Sequence, residues 1–394
     1  MSQAVLDLAA LGMDRGAHLL VKRALEHVSV GSSVLVRGDD AALAVHLRAW
    51  TRSQGHGFED TANGCRVIRG DAEVGRWRGS ERAGGLTSTG VVERPALSWG
   101  LSARGAQVEA GAPEFDFDLV HKDEVWTDDA ARIYAAAAAN QWDPETAIDW
   151  TAPMEHPEEV EDAVVQVMTY LIENEMAALL VPARFLARIH PHFREVLQVL
   201  SVQMADEARH IEVFTRRATL NRGELGLSTT GGQTSLKTLF DEPDFALATF
   251  LLSVLGEGSF LDLLWFLEQY APDPITRQVA KMAAQDEARH VAFGMAHLAR
   301  HVDLDPGLLG RLADAIERRH SELQHTAGLN EEVFDSLILL AAGSWSPQAI
   351  ADGWDKVLEL KSRMDRGRQV RLGRLGFSSN ESDRLSGLHT RNFM

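Results

Sequence analysis

The stretches QMADEARHIEVF (Gln203–Phe214) and AAQDEARHVAF (Ala283–Phe293) decide the fold. Asp-Glu-Ala-Arg-His is spelled twice, at Asp206–His210 and at Asp286–His290, 80 residues apart. Each copy holds a Glu-x-x-His unit, Glu207/His210 and Glu287/His290. Positions i and i+3 of an α-helix share a face, so a carboxylate and an imidazole so spaced reach one point. One such unit is common on charged helices. Two of them pose a sharper question: whether other helices supply carboxylates at the same depth.

They do. YLIENEMAALL carries Glu175, 32 residues before Glu207, and SVLGEGSFLDLL carries Glu257, 30 before Glu287. Two antiparallel helices joined by a short turn bring residues about thirty apart to one level, each arm being roughly 15 residues or about 20 Å. Glu173 competes with Glu175. Glu175 is preferred because it lies 16 residues before Pro191, as Glu257 lies 15 before Pro272. The candidate ligands are therefore Glu175, Glu207, His210, Glu257, Glu287 and His290, one Glu from each of two helices and Glu-x-x-His from two others. Carboxylates and imidazoles suit iron or manganese. The opposing reading, an exposed salt-bridging face, meets Glu257 inside FLLSVLGEGSFLDLLWFL, where an unpaired carboxylate costs several kcal/mol.

Asp206 and Asp286 are expected to orient the imidazoles, since a metal-bound His usually donates its other N–H to a carboxylate. The crossed pairing, Asp206 with His290 and Asp286 with His210, is preferred. The alternative is an ion pair with Arg209 or Arg289. Gly256 and Gly258, beside Glu257, imply close helix packing or room for that carboxylate to move. Tyr170, Trp265 and Phe266 are read as core, and His192 and His297 as ordinary helix residues.

Composition sets outer limits. With 394 residues, core burial is no constraint. A net charge of −18 argues against a nucleic-acid partner. The single cysteine, Cys65, excludes internal disulfides and cysteine-rich metal sites. The first residues lack the pattern of a secretory signal, and apolar runs such as FALATFLLSVLGEG read as too short and interrupted to span a bilayer. The expectation is a cytoplasmic chain with no membrane.

Residues 1–74 alternate helical period with β-branched runs, which predicts a small two-layer α/β domain. Residues 75–118, rich in Gly, Ser, Thr and Arg, read as a linker. Residues 119–301 carry the helical bundle. Its long helices are expected at 157–189, 191–221, 244–270 and 274–301. Residues 302–394 form a C-terminal helical extension, with helices at 306–326, 329–342 and 347–369 and a polar tail.

The bundle resembles the ferritin-like superfamily, and within it the bacterial di-iron oxidases and oxygenases. That resemblance implies two Fe (or Mn/Fe, which the same ligands accept), with O2 activated at the reduced centre for a small organic substrate. Electrons would come from an external donor of ferredoxin or flavin-reductase type. Glu257 would be the carboxylate that shifts, and the bundle a homodimer. The chain departs from named subfamilies at Phe214, where the ribonucleotide reductase radical subunit has Tyr. It departs at Leu261, where methane and toluene monooxygenases have Thr, and at Ala283, where arylamine N-oxygenases have a seventh ligand, His. Rival expectations are ferroxidase or peroxide-reducing activity, and a structural metal in an interaction module.

Residues 5–72 resemble TusA-type sulfur carriers through Leu11-Gly12, VKRALEHV, Gly31, Asp39-Asp40, Trp50, Gly55-His56 and Val67–Arg69. The resemblance puts the carrier's cysteine at Arg15, and its two prolines at Gly16 and His18. No thiol remains, which implies a domain dead for sulfur transfer. Cys65 reads as a buried strand residue.

Overall fold

The computed structural model describes residues 4–221, 223–324 and 331–388. They divide into two compact units. One runs up to Glu81 and includes Gln107–Ala112. The other comprises Arg82–Ala106 and the chain from Pro113.

The first unit is a two-layer α/β fold. Strands β1 (Ala4–Asp7), β2 (Ser33–Arg37), β3 (Gly57–Thr61) and β4 (Gly64–Ile68) form one sheet in the order β1-β2-β4-β3. β1 is parallel to β2, as a crossover through helix α1 (Ala17–Glu26) requires, and the other pairs are antiparallel. Helix α2 (Leu43–Ser53) joins β2 to β3. Val21 and Leu25 of α1 and Leu47 of α2 bury against Val34, Val36 and Val67. β1 and β3 escape the sequence pattern: each is an edge strand of only four or five residues, too short to show a clear alternation. Cys65 is buried on β4, and Arg15 is exposed just before α1.

The second unit is helical. α3 (Ala130–Ala139) precedes two long hairpins. α4 (Glu158–Leu186) pairs with α5 (Arg194–Thr219), and the apolar helix Phe245–Tyr270, α7, pairs with α8 (Pro274–Leu304). α6 (Thr230–Phe240) connects the hairpins. Among the described residues four helices follow: α9 (Leu308–Leu323), α10 (Glu331–Ala342), α11 (Pro347–Leu375) and α12 (Ser379–Gly387). By length and composition alone α4 and α7 can cross a membrane, which corrects the reading of their runs as too short; 61% and 83% of those windows are buried inside the protein.

Within the stretch 75–118 expected as a linker, residues 82–106 and 113–118 belong to the second unit and are not loose. Ala83 and Val91 are buried, and Arg104 grips Glu195 of α5 through two bonds of 2.7 and 2.5 Å in a dry setting. His192 accepts the Val92 N–H at 3.0 Å, and the Leu119 N–H meets the Arg188 carbonyl at 2.9 Å. Glycine-rich composition hid a segment held by polar groups rather than by an apolar period. His192 itself lies in a 3-10 turn, Pro191–Phe193, not on a helix. The tail also differs: Ser378 caps α12, and Leu385 enters the core. Residues 325–330, where two helices were expected to meet, and 389–394, the end of the tail, lie outside the described residues.

Arg217 fixes the hairpins to each other. It is fully buried on α5, bonded twice to Glu161 of α4 (2.7 and 2.8 Å) and once to Asp273 (2.8 Å), the N-cap of α8.

Candidate metal centre

Glu175 sits on α4, Glu207 and His210 on α5, Glu257 on α7, and Glu287 and His290 on α8. All six are buried. Glu173, by contrast, is partly exposed, because two residues on a helix are about 200° apart and only one of the pair can face inward.

The donor atoms fall into two overlapping groups. Glu175, Glu207, His210 and Glu287 lie with one donor atom each inside 4.8 Å of one another, and so do Glu207, Glu257, Glu287 and His290. Glu207 and Glu287 belong to both. Glu207 Oε2 is 3.1 Å from His210 Nδ1, and its Oε1 is 3.0 Å from His290 Nδ1. Glu287 reaches the same two nitrogens at 3.4 and 3.3 Å. Glu175 belongs to the His210 side alone, at 3.6 Å, and Glu257 to the His290 side.

Each imidazole turns its other nitrogen to an aspartate of the opposite hairpin. His210 Nε2 is 3.1 Å from Asp286 Oδ2, and His290 Nε2 is 3.2 Å from Asp206 Oδ2. The two aspartates are also ion-paired. Arg209 bonds Asp206 Oδ1 at 2.5 Å and Asp286 Oδ2 at 2.8 Å, while Arg289 bonds Asp286 Oδ1. The two roles weighed for these aspartates therefore coexist: Asp206 turns one oxygen to His290 and the other to Arg209, while Asp286 Oδ2 serves both His210 and Arg209 and its Oδ1 meets Arg289. The repeated Asp-Glu-Ala-Arg-His thus forms a two-fold network of ligands, orienting carboxylates and neutralising arginines.

Three neighbours escape a reading of the repeat. Gln141 and Trp142, in the segment after α3, donate to Asp206 and Asp286, each at 2.7 Å. Gln203 donates to Glu257 Oε1 at 3.0 Å. Gln203 had a signal, since it lies one turn before Glu207; Gln141 and Trp142 had none, being on another element. Trp265 is 38% exposed and is not core, whereas Tyr170 and Phe266 are buried. His297 is fully buried on α8.

The backbone that carries Glu257 is unusual. Phe250–Glu257 is π-helical, within a helix that is α-helical on both sides. A π turn inserts residues and frees carbonyls, and such turns concentrate at functional sites. Gly258 is a tight approach, because a Cβ there would sit 2.5 Å from Arg371 Nε.

Electrostatics supply the test of fit. Four carboxylates among neutral imidazoles carry a charge of −4, and two divalent ions cancel it. Burial pushes the Glu175 and Glu257 carboxyls well above the usual range, and nearby Glu287 and Glu207 add to it. Burial opposes charge on His210 and His290 too, yet the surrounding carboxylates raise both well above an ordinary histidine. Both Glu207 oxygens, His210 Nδ1 and Glu257 Oε2 lack a hydrogen-bond partner although they crowd together. Buried polar atoms are rarely left so. A pair of metal ions satisfies all of them, and the cluster is able to hold one.

No protein-family model matches the chain, and no curated protein matches it. Solved structures do. A mutant R2-like ligand-binding oxidase with an aerobically reconstituted Fe/Fe cofactor aligns over 64% of this chain and 93% of its own, with a TM-score of 0.51 at 18% identity. A second mutant, with an aerobically reconstituted Mn/Fe cofactor, gives 0.50 at 20% identity over the same shares. The likeness is one of fold. The helical unit has the ferritin-like fold of those oxidases, and no comparison supports the TusA-type likeness of the first unit.

Beside the cluster lies a cavity of about 20 Å³, lined by Ala178, Leu239, Leu252 and Phe260 as well as Glu175 and Glu257. That holds a water or dioxygen, about one small molecule.

Proposed function

We propose that the chain is a non-haem oxidase that holds two iron ions, or one manganese and one iron, and acts on a small organic substrate. Glu207 and Glu287 would span both metals, with Glu175 and His210 completing one position and Glu257 and His290 the other. When bound, such a pair supplies redox chemistry toward dioxygen. Asp286 and Asp206 fix the imidazoles, Gln203 steadies one oxygen of Glu257, and the apolar walls keep bulk water out. The π-helical turn gives Glu257 the slack to move. The observation that carries this reading is the convergence of six buried donors whose charge and unpartnered atoms call for two cations.

Electrons are proposed to come from a separate ferredoxin or flavin-reductase type donor. The first unit, similar to a sulfur carrier but with Arg15 where that resemblance puts the cysteine, is proposed as a docking element. A homodimer in the cytoplasm, free of membrane and nucleic acid, completes the proposal.

The 20 Å³ cavity favours a second reading. It admits dioxygen or peroxide but no organic molecule without movement of α7, so iron oxidation or peroxide reduction is the rival. Metal analysis, anaerobic reduction and stopped-flow mixing with O2 test both, with Glu207→Ala as control. Two irons per chain and a transient absorption lost in the variant support the oxidase. Metal that O2 leaves unchanged overturns it. Repeated turnover of added Fe(II) would select the rival.

A further inference from the structure

On the face of the Phe250–Glu257 segment away from the metals, three arginines are buried: Arg319 on α9, and Arg368 and Arg371 on α11, at 7%, 4% and 9% exposure. Arg371 has a structural use, since its Nε donates to the Val254 carbonyl at 2.7 Å, inside the π-helical turn. The other two are less well supplied. Arg319 donates Nη2 to Ser235 Oγ at 2.8 Å, but its Nε and Nη1 have no hydrogen-bond partner. Among the described residues it forms no ion pair. Arg368 reaches Ser386 Oγ at 3.2 Å and lies 3.8 Å from Asp365, with Nη1 unpartnered. Burial lowers both guanidinium pKa values to about 10, so both stay charged at neutral pH. Glu322 offsets the Arg319 charge in part, and Asp365 and Asp262 that of Arg368, but both guanidinium groups keep unpartnered N–H groups in a buried place. An incompletely paired buried charge is costly, so an anion here would relieve it.

There is room for one. Arg319 and Arg368 line a cavity of about 30 Å³ whose other walls include Leu251, Leu255, Leu372 and Leu385. Arg319 and Leu251 also line an open cleft of about 370 Å³. The other cations of that cleft are already neutralised, Lys237 by Asp241 and Arg318 by Glu242 at 3.6 Å. Arg319 and Leu251 therefore line both the cleft and the cavity.

We propose that this cavity binds a small monocarboxylate with an apolar tail, its head held by Arg319 and Arg368 and its chain leading past Leu251 into the cleft. A guanidinium fork matches a carboxylate's two oxygens. The small volume favours that planar head over a tetrahedral phosphate, and the leucines favour a hydrocarbon next to it. Leu251 and Leu255 belong to the same π-helical segment whose Leu252 and Glu257 line the metal cavity. A ligand here therefore bears on the segment that carries Glu257.

Thermal shift of the full-length chain tests this with hexanoate, hexanol, hexyl phosphate and chloride as probes. Hexanoate also binds metals, so the series is repeated in Glu207→Ala, which removes a donor common to both metal positions. Hexanoate is expected to raise Tm saturably in both proteins, by about 2 °C or more, and hexanol is not. Arg319→Gln is expected to abolish the shift, and Arg368→Gln to weaken binding at least about tenfold. If Arg319→Gln does not fold, the contrast of hexanoate with hexanol in the unsubstituted chain still decides. An equal shift with hexanol, a stronger one with hexyl phosphate, a shift with chloride alone (an adventitious ion only), or a shift lost in Glu207→Ala overturns the proposal.

Discussion

Trp142 donates its indole N–H to Asp286 Oδ2 at 2.7 Å, and that same oxygen faces His210 Nε2 at 3.1 Å. A residue outside the bundle's long helices thus helps set the orientation of a candidate ligand. Arg209 lies over the Trp142 ring, 4.6 Å from its centre, and bonds the same oxygen.

Trp142→Phe keeps the ring under Arg209 but removes the donor. Loss of a group that supports a metal-binding imidazole typically costs about 10–100-fold in metal affinity. That loss is expected here with little change in Tm, and competition with a chelator of known affinity measures it. Unchanged affinity would show that Arg209 and Arg289 hold Asp286 without the indole.

Glu207 and Glu175 are expected to fail differently. Glu207 belongs to both donor groups and Glu175 to one. Metal analysis should find Glu207→Ala unable to hold a pair, and Glu175→Ala retaining about one ion, on the His290 side. Equal loss in both variants would contradict the overlapping arrangement.

Arg217→Leu is predicted to destabilise by about 3–5 kcal/mol, the usual result of removing one partner of a buried charge network. Glu161 and Asp273 are left facing each other without their cation. Denaturant unfolding checks it. The triple change Arg217→Leu, Glu161→Gln, Asp273→Asn should recover part of the loss.

Acid should weaken the fold through His192. Burial, with Arg104 beside it, lowers its pKa to about 4 from the ordinary 6.5. The folded protein therefore disfavours the charged ring, so this contribution is full above pH 6.5 and is lost as pH falls toward 4. With each unit worth 1.36 kcal/mol and some solvent screening, roughly 2 kcal/mol is at stake. The stability difference between the chain and His192→Gln, followed from pH 7 to pH 4, should shrink by that amount. A constant difference would mean that the ring titrates normally.

The long helices were legible because apolar period and Pro or Gly breaks act locally. Helices expected at 244–270 and 274–301 are found at Phe245–Tyr270 and Pro274–Leu304. What was missed depends on partners far along the chain. Residues 82–106 carry no period, and are held instead by polar bonds of Val92 to His192 and of Arg104 to Glu195. The π-helical turn at Phe250–Glu257 was also hidden, since nothing in FLLSVLGE departs from an ordinary apolar helix.

By itself the sequence determined the chemistry on offer: two Glu-x-x-His units, two partner glutamates at matched depth, and a helical frame to carry them. Those follow from spacing, since residues three apart share a helix face and residues thirty apart meet across a hairpin. Only the tertiary structure decided which glutamates belong to both donor groups, which aspartate serves which imidazole, and how little space remains beside them. Those are properties of side chains from four helices packed at van der Waals distance, where a shift of one ångström changes partners and leaves the sequence pattern unchanged.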